Sequence, residues 1–130
     1  MGILTAVLSP FVPKPFTPLQ WASMIPEKEL KSRGEGVSAV VRAVPNVRVS
    51  ASIPWDAVVQ GYLGLSDRRV AAGLRTARPG KLLRSASGLA GALSSVVFRE
   101  KGAGEFFPWE VIDGGLRKDA LRARYEAFLR

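Results

Sequence analysis

Hydrophobic and polar positions near the start of the chain predict two strands joined by a helix. The apolar run from Gly2 to Leu8 indicates a short buried strand, and the alternation from Val47 to Ile53 indicates a second one. Between them, the segment from Glu27 to about Val44 is predicted to be helical, and Gly34 and Gly36 weaken its middle, which leaves open one helix or two pieces. A strand, a helix and a strand in this order favour a parallel crossover.

The stretch from Ser9 to Trp21 interrupts this pattern, because its thirteen residues contain four prolines, three aromatic residues and one lysine. Each proline fixes its own φ and pushes the preceding residue towards extended geometry. With four amide donors missing, the stretch is neither an ordinary helix nor a central strand. We expect a stiff, extended segment, referred to below as the proline stretch.

The rest of the chain has helical spacing and predicts a mainly helical C-terminal part. The segment 67–77 should begin at Ser66 as its N-cap and bury Val70 and Leu74, and the last helix should bury Leu121, Tyr125 and Phe128. The four predicted helices span 54–63, 67–77, 81–98 and 116–129, with an aromatic docking segment at 106–109. The predicted fold class is therefore α/β and helix-rich, with two short strands and a helical crossover in 1–53 and a helical tail in 54–130. The 130 residues form a single domain or a C-terminal fragment.

The net charge of +8 is concentrated in one block, because residues 68–99 hold seven basic residues and no acidic one. In Asp67-Arg68-Arg69, the carboxylate either starts a helix beside two solvated arginines, or the arginines bind phosphate or RNA backbone. Tryptophan and tyrosine do not interleave with these charges, which argues against base stacking. The candidate anion-binding residues are Arg68, Arg69, Arg75, Arg78, Lys81 and Arg84.

The complete absence of cysteine and histidine excludes several kinds of site. It excludes thiolate or imidazole metal ligands, disulfides and triads based on cysteine or histidine. Two carboxylate pairs, Asp56/Asp67 and Glu110/Asp113, are expected to be solvated or capping groups. We therefore predict neither a catalytic residue nor a metal ligand in this chain.

The sequence contains no convincing targeting or membrane segment. Its longest apolar stretch, Gly88 to Phe98, is too short to span a bilayer. The apolar N-terminus has no basic region before it and no cleavage site after it. We expect a cytoplasmic protein that does not act at a membrane.

Three stretches resemble segments of the radical SAM proteins of the cobalamin-binding type. The first is the proline stretch, Ser-Pro-Phe-Val-Pro-Lys-Pro-Phe-Thr-Pro-Leu-Gln-Trp, which looks like the segment following the radical SAM core. Leu65-Ser66-Asp67-Arg68-Arg69-Val70 is similar to a Gly-Asp-Arg-Arg box, with Ser66 where glycine is usual, and Pro108 to Leu116 resembles a terminal Pro-Trp-Asp-x-Ile-Asp-x-Gly box. The matching residues are Pro13, Lys14, Pro15, Thr17, Pro18, Trp21, Asp67, Trp109 and Asp113.

The resemblance spans nearly the whole chain and implies a C-terminal part of a larger enzyme. For that whole enzyme it implies S-adenosylmethionine (SAM), a 4Fe-4S cluster and, as a further candidate, cobalamin. This chain lacks the Cys-x-x-x-Cys-x-x-Cys triplet that anchors such a cluster, so we expect it to bind none of these cofactors. It would act as an accessory part that docks on a catalytic partner chain, inactive alone. Lys14 would then meet substrate or cofactor, or simply keep the stretch soluble.

Two other hypotheses remain open from the sequence. The first is a small basic module that binds RNA through the central block. The second is a structural remnant without its own activity, which self-associates through an unpaired strand edge at Ile3 to Leu8. The sequence does not specify a substrate, a partner or an oligomeric state.

Overall fold

The computed structural model describes residues 2–76 and 89–130, which form a helix-rich α/β fold, as predicted. The described elements are β1 (Leu4–Leu8), a 3-10 helix (Pro18–Trp21), α1 (Glu27–Arg42), β2 (Val47–Ala51), α2 (Pro54–Leu65), α3 (Val70–Thr76), α4 (Leu89–Val96), a second 3-10 helix (Pro108–Val111) and α5 (Lys118–Phe128). The first half of the helix predicted over 81–98 lies outside the described residues.

The two strands pair in parallel, in register from Leu4 with Val47 to Leu8 with Ala51. Helix α1 forms the crossover as one unbroken helix and not as two pieces, although it contains Gly34 and Gly36. Its N-terminal residues Glu27 and Glu29 lie at the positive end of the helix dipole. The turn before β2 is made by Asn46, whose φ of 61° is the left-handed conformation that asparagine tolerates well.

Strand β1 is present as predicted, but it is not buried. Val7 is 69% exposed, and Ile3 and Leu4 are also exposed. The sequence prediction assumed that an apolar strand is covered on at least one face. Here α1 lies mainly against β2, and no other described element covers β1.

The proline stretch is extended only as far as Lys14. The chain then turns at Phe16, whose φ is 57°, and enters the 3-10 helix with Pro18 in its first turn. The Thr17 hydroxyl donates to the Lys14 carbonyl at 2.8 Å and holds this turn. The prediction that this stretch forms neither an ordinary helix nor a central strand is confirmed. The prediction that it is extended throughout is wrong.

The helical tail buries partly different residues from those predicted. Leu121 and Tyr125 of α5 are buried as expected, but Phe128 and Leu74 are exposed. Ser66 is not the N-cap of α3, because it is the residue that ends α2. Asp67 instead forms an Asx turn ahead of α3, because its Oδ1 accepts from the Arg69 amide at 2.9 Å.

The core consists of two apolar clusters that meet at Val96 of α4. The first, referred to below as the aromatic cluster, consists of Trp21, Leu65, Phe107, Trp109, Leu121 and Tyr125. The second is aliphatic and contains Met24, Ala57, Val58, Leu93 and Val97. The proline stretch contacts both clusters, because Trp21 belongs to the first and Val12 packs against the second.

Candidate functional site

The aromatic cluster joins the three stretches that carry the family resemblance, through Trp21, Leu65 and Trp109. Trp21, which ends the proline stretch, packs edge-on against Phe107 with ring centroids 5.7 Å apart and stacks on Tyr125 at 5.9 Å. Phe107 stacks in turn on Trp109 at 4.8 Å. Such pairs add to the free energy gained by burying the rings. Residues 88 positions apart, Trp21 and Trp109, therefore stabilise one local core.

A buried glutamine fixes this arrangement. The Gln20 side-chain oxygen accepts from the Trp109 indole N–H at 2.9 Å and from the Phe16 amide at 3.1 Å. Gln20 is almost fully buried, so no solvent could replace it as the acceptor. The sequence analysis missed this residue, because a lone glutamine in a loop carries no signal of burial.

Gly114 of the third stretch packs against Phe16 of the proline stretch. A Cβ on Gly114 would lie 3.2 Å from the Phe16 ring, so the absence of a side chain permits this approach. Gly115 follows with a φ of 69°, and its amide donates to the Asp113 carboxylate at 2.9 Å. Asp113 therefore shapes the turn that carries the motif, which is the capping role expected for it.

The second stretch contributes Leu65 to the aromatic cluster and a local ion pair on the surface. Arg69 Nε donates to both carboxylate oxygens of Asp67, at 2.9 and 2.8 Å. These hydrogen bonds hold the pKa of Asp67 below its ordinary value. Arg68 and Arg75 are exposed, while Arg78, Lys81 and Arg84 lie outside the described residues. Among the described candidate arginines, Arg69 is therefore already paired with a carboxylate of its own motif.

Residues of the second and third stretches line one cleft of about 690 Å³. Its lining combines the end of α2, the segment that leads into α3, one side of α4 and the segment 105–109. The residues that matter for its chemistry are Ser66, Asp67, Arg69, Arg99, Lys101, Glu105 and Trp109.

The cleft contains three cations, of which two have carboxylate partners. Arg99 forms a two-bond ion pair with Glu105, one bond being 2.7 Å long, and Arg69 is paired with Asp67. The Arg99 guanidinium holds the pKa of Glu105 below its ordinary value. The buried Ser66 hydroxyl has no partner among the described residues.

Lys101 is the third cation, and its ammonium group is buried. Only 5% of the residue is exposed, and Nζ donates to the carbonyl oxygens of Ala22 and Arg99 at 3.3 and 3.4 Å. Burial lowers the pKa of Lys101 to about 8, and the nearby Arg99 charge adds to this effect. The Lys101 amide also donates to the Trp21 carbonyl at 2.9 Å, so this residue ties the loop to the end of the proline stretch.

The remaining motif residues are structural or exposed. Pro13 is fully buried, Pro15, Thr17 and Pro18 are half-buried, and the Lys14 side chain is exposed. Among the described residues, no three histidine, cysteine, aspartate or glutamate side chains are grouped to hold a metal ion. No helix in this part of the chain has the length and apolar composition required to cross a bilayer.

Comparisons of this chain with protein-family models, with curated proteins and with solved structures give no match.

Proposed function

We propose that this chain is the C-terminal part of a radical SAM-like protein and acts as an accessory part that docks on a catalytic chain. The observation that carries the proposal is the β1–β2 pair. Parallel sheets occur almost only with further strands beside them and with both faces covered. Here the described sheet has only two strands, so each strand has one edge that pairs with no other strand of the sheet.

The strand–helix–strand unit also exposes apolar side chains that a larger sheet would cover. On β1 and just before it these are Ile3, Leu4 and Val7, and on α1 they are Val37 and Val40. A group of exposed apolar residues on a single unit typically marks an interaction surface. A partner that adds a parallel strand and a neighbouring helix would satisfy the open edge and cover these residues.

The arrangement of the three family-like stretches also supports the proposal. They are distant in sequence, yet Trp21, Leu65 and Trp109, one from each stretch, lie in the aromatic cluster. Phe16 and Gln20 also contact Gly114 and Trp109, respectively. The proline stretch therefore leads from the open sheet directly into the core of the helical tail. This is the connection expected where a barrel strand ends and a C-terminal region begins.

The residues of this chain do not fit the cofactors of the proposed enzyme. An iron–sulfur cluster requires thiolate ligands, and the chain has no cysteine. The partner chain would therefore supply the cluster and bind SAM. We expect anaerobic reconstitution of this chain alone with iron and sulfide to give no stable cluster and no SAM cleavage. A stable cluster with SAM cleavage would contradict the proposal.

Docking can be tested with the radical SAM chain encoded directly upstream, if the genomic sequence there contains a Cys-x-x-x-Cys-x-x-Cys frame. We expect the two chains to co-elute and Val7→Lys to weaken the complex at least about tenfold, because the lysine would be desolvated at the interface. The matched control is Val111→Lys, since Val111 is 78% exposed and lies outside the strand–helix–strand unit. Absence of such a frame, or equal effects of the two substitutions, would contradict the proposal.

A further inference from the structure

A second groove, separate from the cleft, lies between the proline stretch and the last turns of α5. It has a volume of about 430 Å³, within the usual range for small-ligand sites. Its lining is mainly apolar, with two cationic side chains and no acidic one. The lining residues are Phe11, Val12, Lys14, Thr17, Pro18, Leu19, Arg124 and Phe128.

The walls of this groove are held by the core of the protein. On one side, Pro13 is fully buried and the Thr17 hydroxyl fixes the Lys14 carbonyl, so the backbone carrying Lys14 is well anchored. On the other side, α5 is anchored by Tyr125, which stacks on Trp21 and donates to Glu100 at 2.8 Å. A ligand would therefore find the two walls already in place, which lowers the entropic cost of binding.

Five basic side chains of the helical tail are already paired with a carboxylate. Arg69, Arg99, Arg117, Lys118 and Arg122 each form an ion pair with a carboxylate. Within the described part of the chain, neither Lys14 nor Arg124 forms one.

The acidic residues of α5 do not form ion pairs with Lys14 or Arg124. Glu126 is bound to Arg122, and Asp119 is bound to Arg117. The groove therefore combines apolar walls with positive charge that no described carboxylate neutralises.

We propose that this groove binds a small amphiphile that has an apolar body and a single carboxylate. The body would cover Phe11, Leu19 and Phe128, and the carboxylate would be bound by Lys14 from one wall and by Arg124 from the other. A carboxylate accepts charge-assisted hydrogen bonds from both cation types. This inference does not depend on the proposed docking, because the groove is complete in this chain.

The test is a titration of the full chain at pH 7 with decanoate and, in parallel, with decanol, each below its aggregation limit. Amide NMR shifts should saturate with decanoate and be centred on Val12, Lys14 and Leu19. Decanol has nearly the same apolar body without the charge, and it should bind at least about tenfold more weakly because two charge-assisted hydrogen bonds are missing. Equal affinities, or shifts centred on the cleft or on β1, would overturn the proposal.

Charge-neutralising variants identify the contacts. The double variant Lys14→Gln, Arg124→Gln should lose at least about tenfold in decanoate affinity and leave decanol binding unchanged. Lys28→Gln, Arg42→Gln removes the same charge from exposed positions of α1 and serves as the control. Both target positions are exposed, and an unchanged amide spectrum away from the groove would verify the fold. Equal losses in the two double variants would mean general charge attraction and would also overturn the proposal.

Discussion

At the scale of single residues, the buried ammonium of Lys101 is the clearest source of pH-dependent stability. Its pKa of about 8 in the folded protein lies below the ordinary value of 10.5. Between these two values the unfolded chain binds more protons at this group than the folded protein does. The contribution of Lys101 to the free energy of unfolding therefore rises with pH across this window, and below pH 8 the buried charge carries its full cost.

We expect Lys101→Met to stabilise the protein by on the order of 1 kcal/mol at pH 7, since methionine fills the space without a buried charge. The advantage over the parent should shrink as the pH rises from 8 towards 10. Urea unfolding at pH 7 and pH 10 measures both values. Lys28→Met, at an exposed position, should show no such pH dependence. A variant less stable than the parent at pH 7 would show that the two carbonyl contacts of Lys101 outweigh its desolvation.

The Gln20 side chain should contribute strongly to stability, because it is the acceptor for the buried Trp109 indole and the partly buried Phe16 amide. Gln20→Leu leaves the Trp109 indole and the Phe16 amide without this partner, and each unsatisfied donor costs about 1–3 kcal/mol. We expect a loss of about 2–4 kcal/mol in the free energy of unfolding, measured by urea titration. Gln60→Leu, on the exposed side of α2, should change stability by less than about 0.5 kcal/mol. Similar effects at both positions would contradict this role.

At the scale of elements, the two glycines of α2 provide a matched test of close packing. A Cβ on Gly61 would lie 2.7 Å from the Met24 sulfur, whereas a Cβ on Gly64 would meet nothing within 4 Å. Gly64→Ala should stabilise the protein by about 0.5–1 kcal/mol through helix propensity. Gly61→Ala gains the same propensity but must displace the buried Met24, and we expect a net loss of about 1 kcal/mol. Thermal unfolding of both variants tests this, and an increase in Tm for Gly61→Ala would contradict it.

The helices and strands themselves were largely predictable, because their signals are local. Alternation predicted β2, and the predicted helix after the proline stretch starts at Glu27, where α1 begins. The side that each helix buries was less predictable: Leu74 and Phe128 continue an apolar stripe yet are exposed. Periodicity finds a stripe, but a neighbouring element must be present to cover it.

At the scale of the whole molecule, the open edge of β1 should promote self-association when no partner is present. We expect the weight-average mass from light scattering to rise with concentration and Leu4→Lys to reduce this rise, because a charge on an edge strand disfavours edge-to-edge pairing. Leu116→Lys is the control, since Leu116 is 57% exposed and Leu4 is 63% exposed. A mass independent of concentration, or equal effects of both variants, would contradict this expectation.

The alternative hypothesis, RNA binding, is tested by a salt series. If the central block binds the backbone, affinity for a single-stranded RNA should fall steeply with salt, with a log–log slope of about −3 for four phosphate contacts. Replacing Arg68, Arg69, Arg75 and Arg78 by glutamine should abolish binding. Replacing Arg117, Arg122, Arg124 and Arg130 removes the same charge elsewhere and should have a smaller effect. No binding at low salt would end the hypothesis.

The sequence by itself determined the elements, the break at the proline stretch and the exclusion of thiolate and imidazole chemistry. These follow from covalent geometry, short-range periodicity and composition. Only the tertiary structure decided that Gln20 and Trp109 are bonded, that Lys101 is buried and that β1 is uncovered. The physical reason is that burial and hydrogen-bond pairing depend on which distant segments meet, and residues as far apart as 20 and 109 carry no local signal of that meeting.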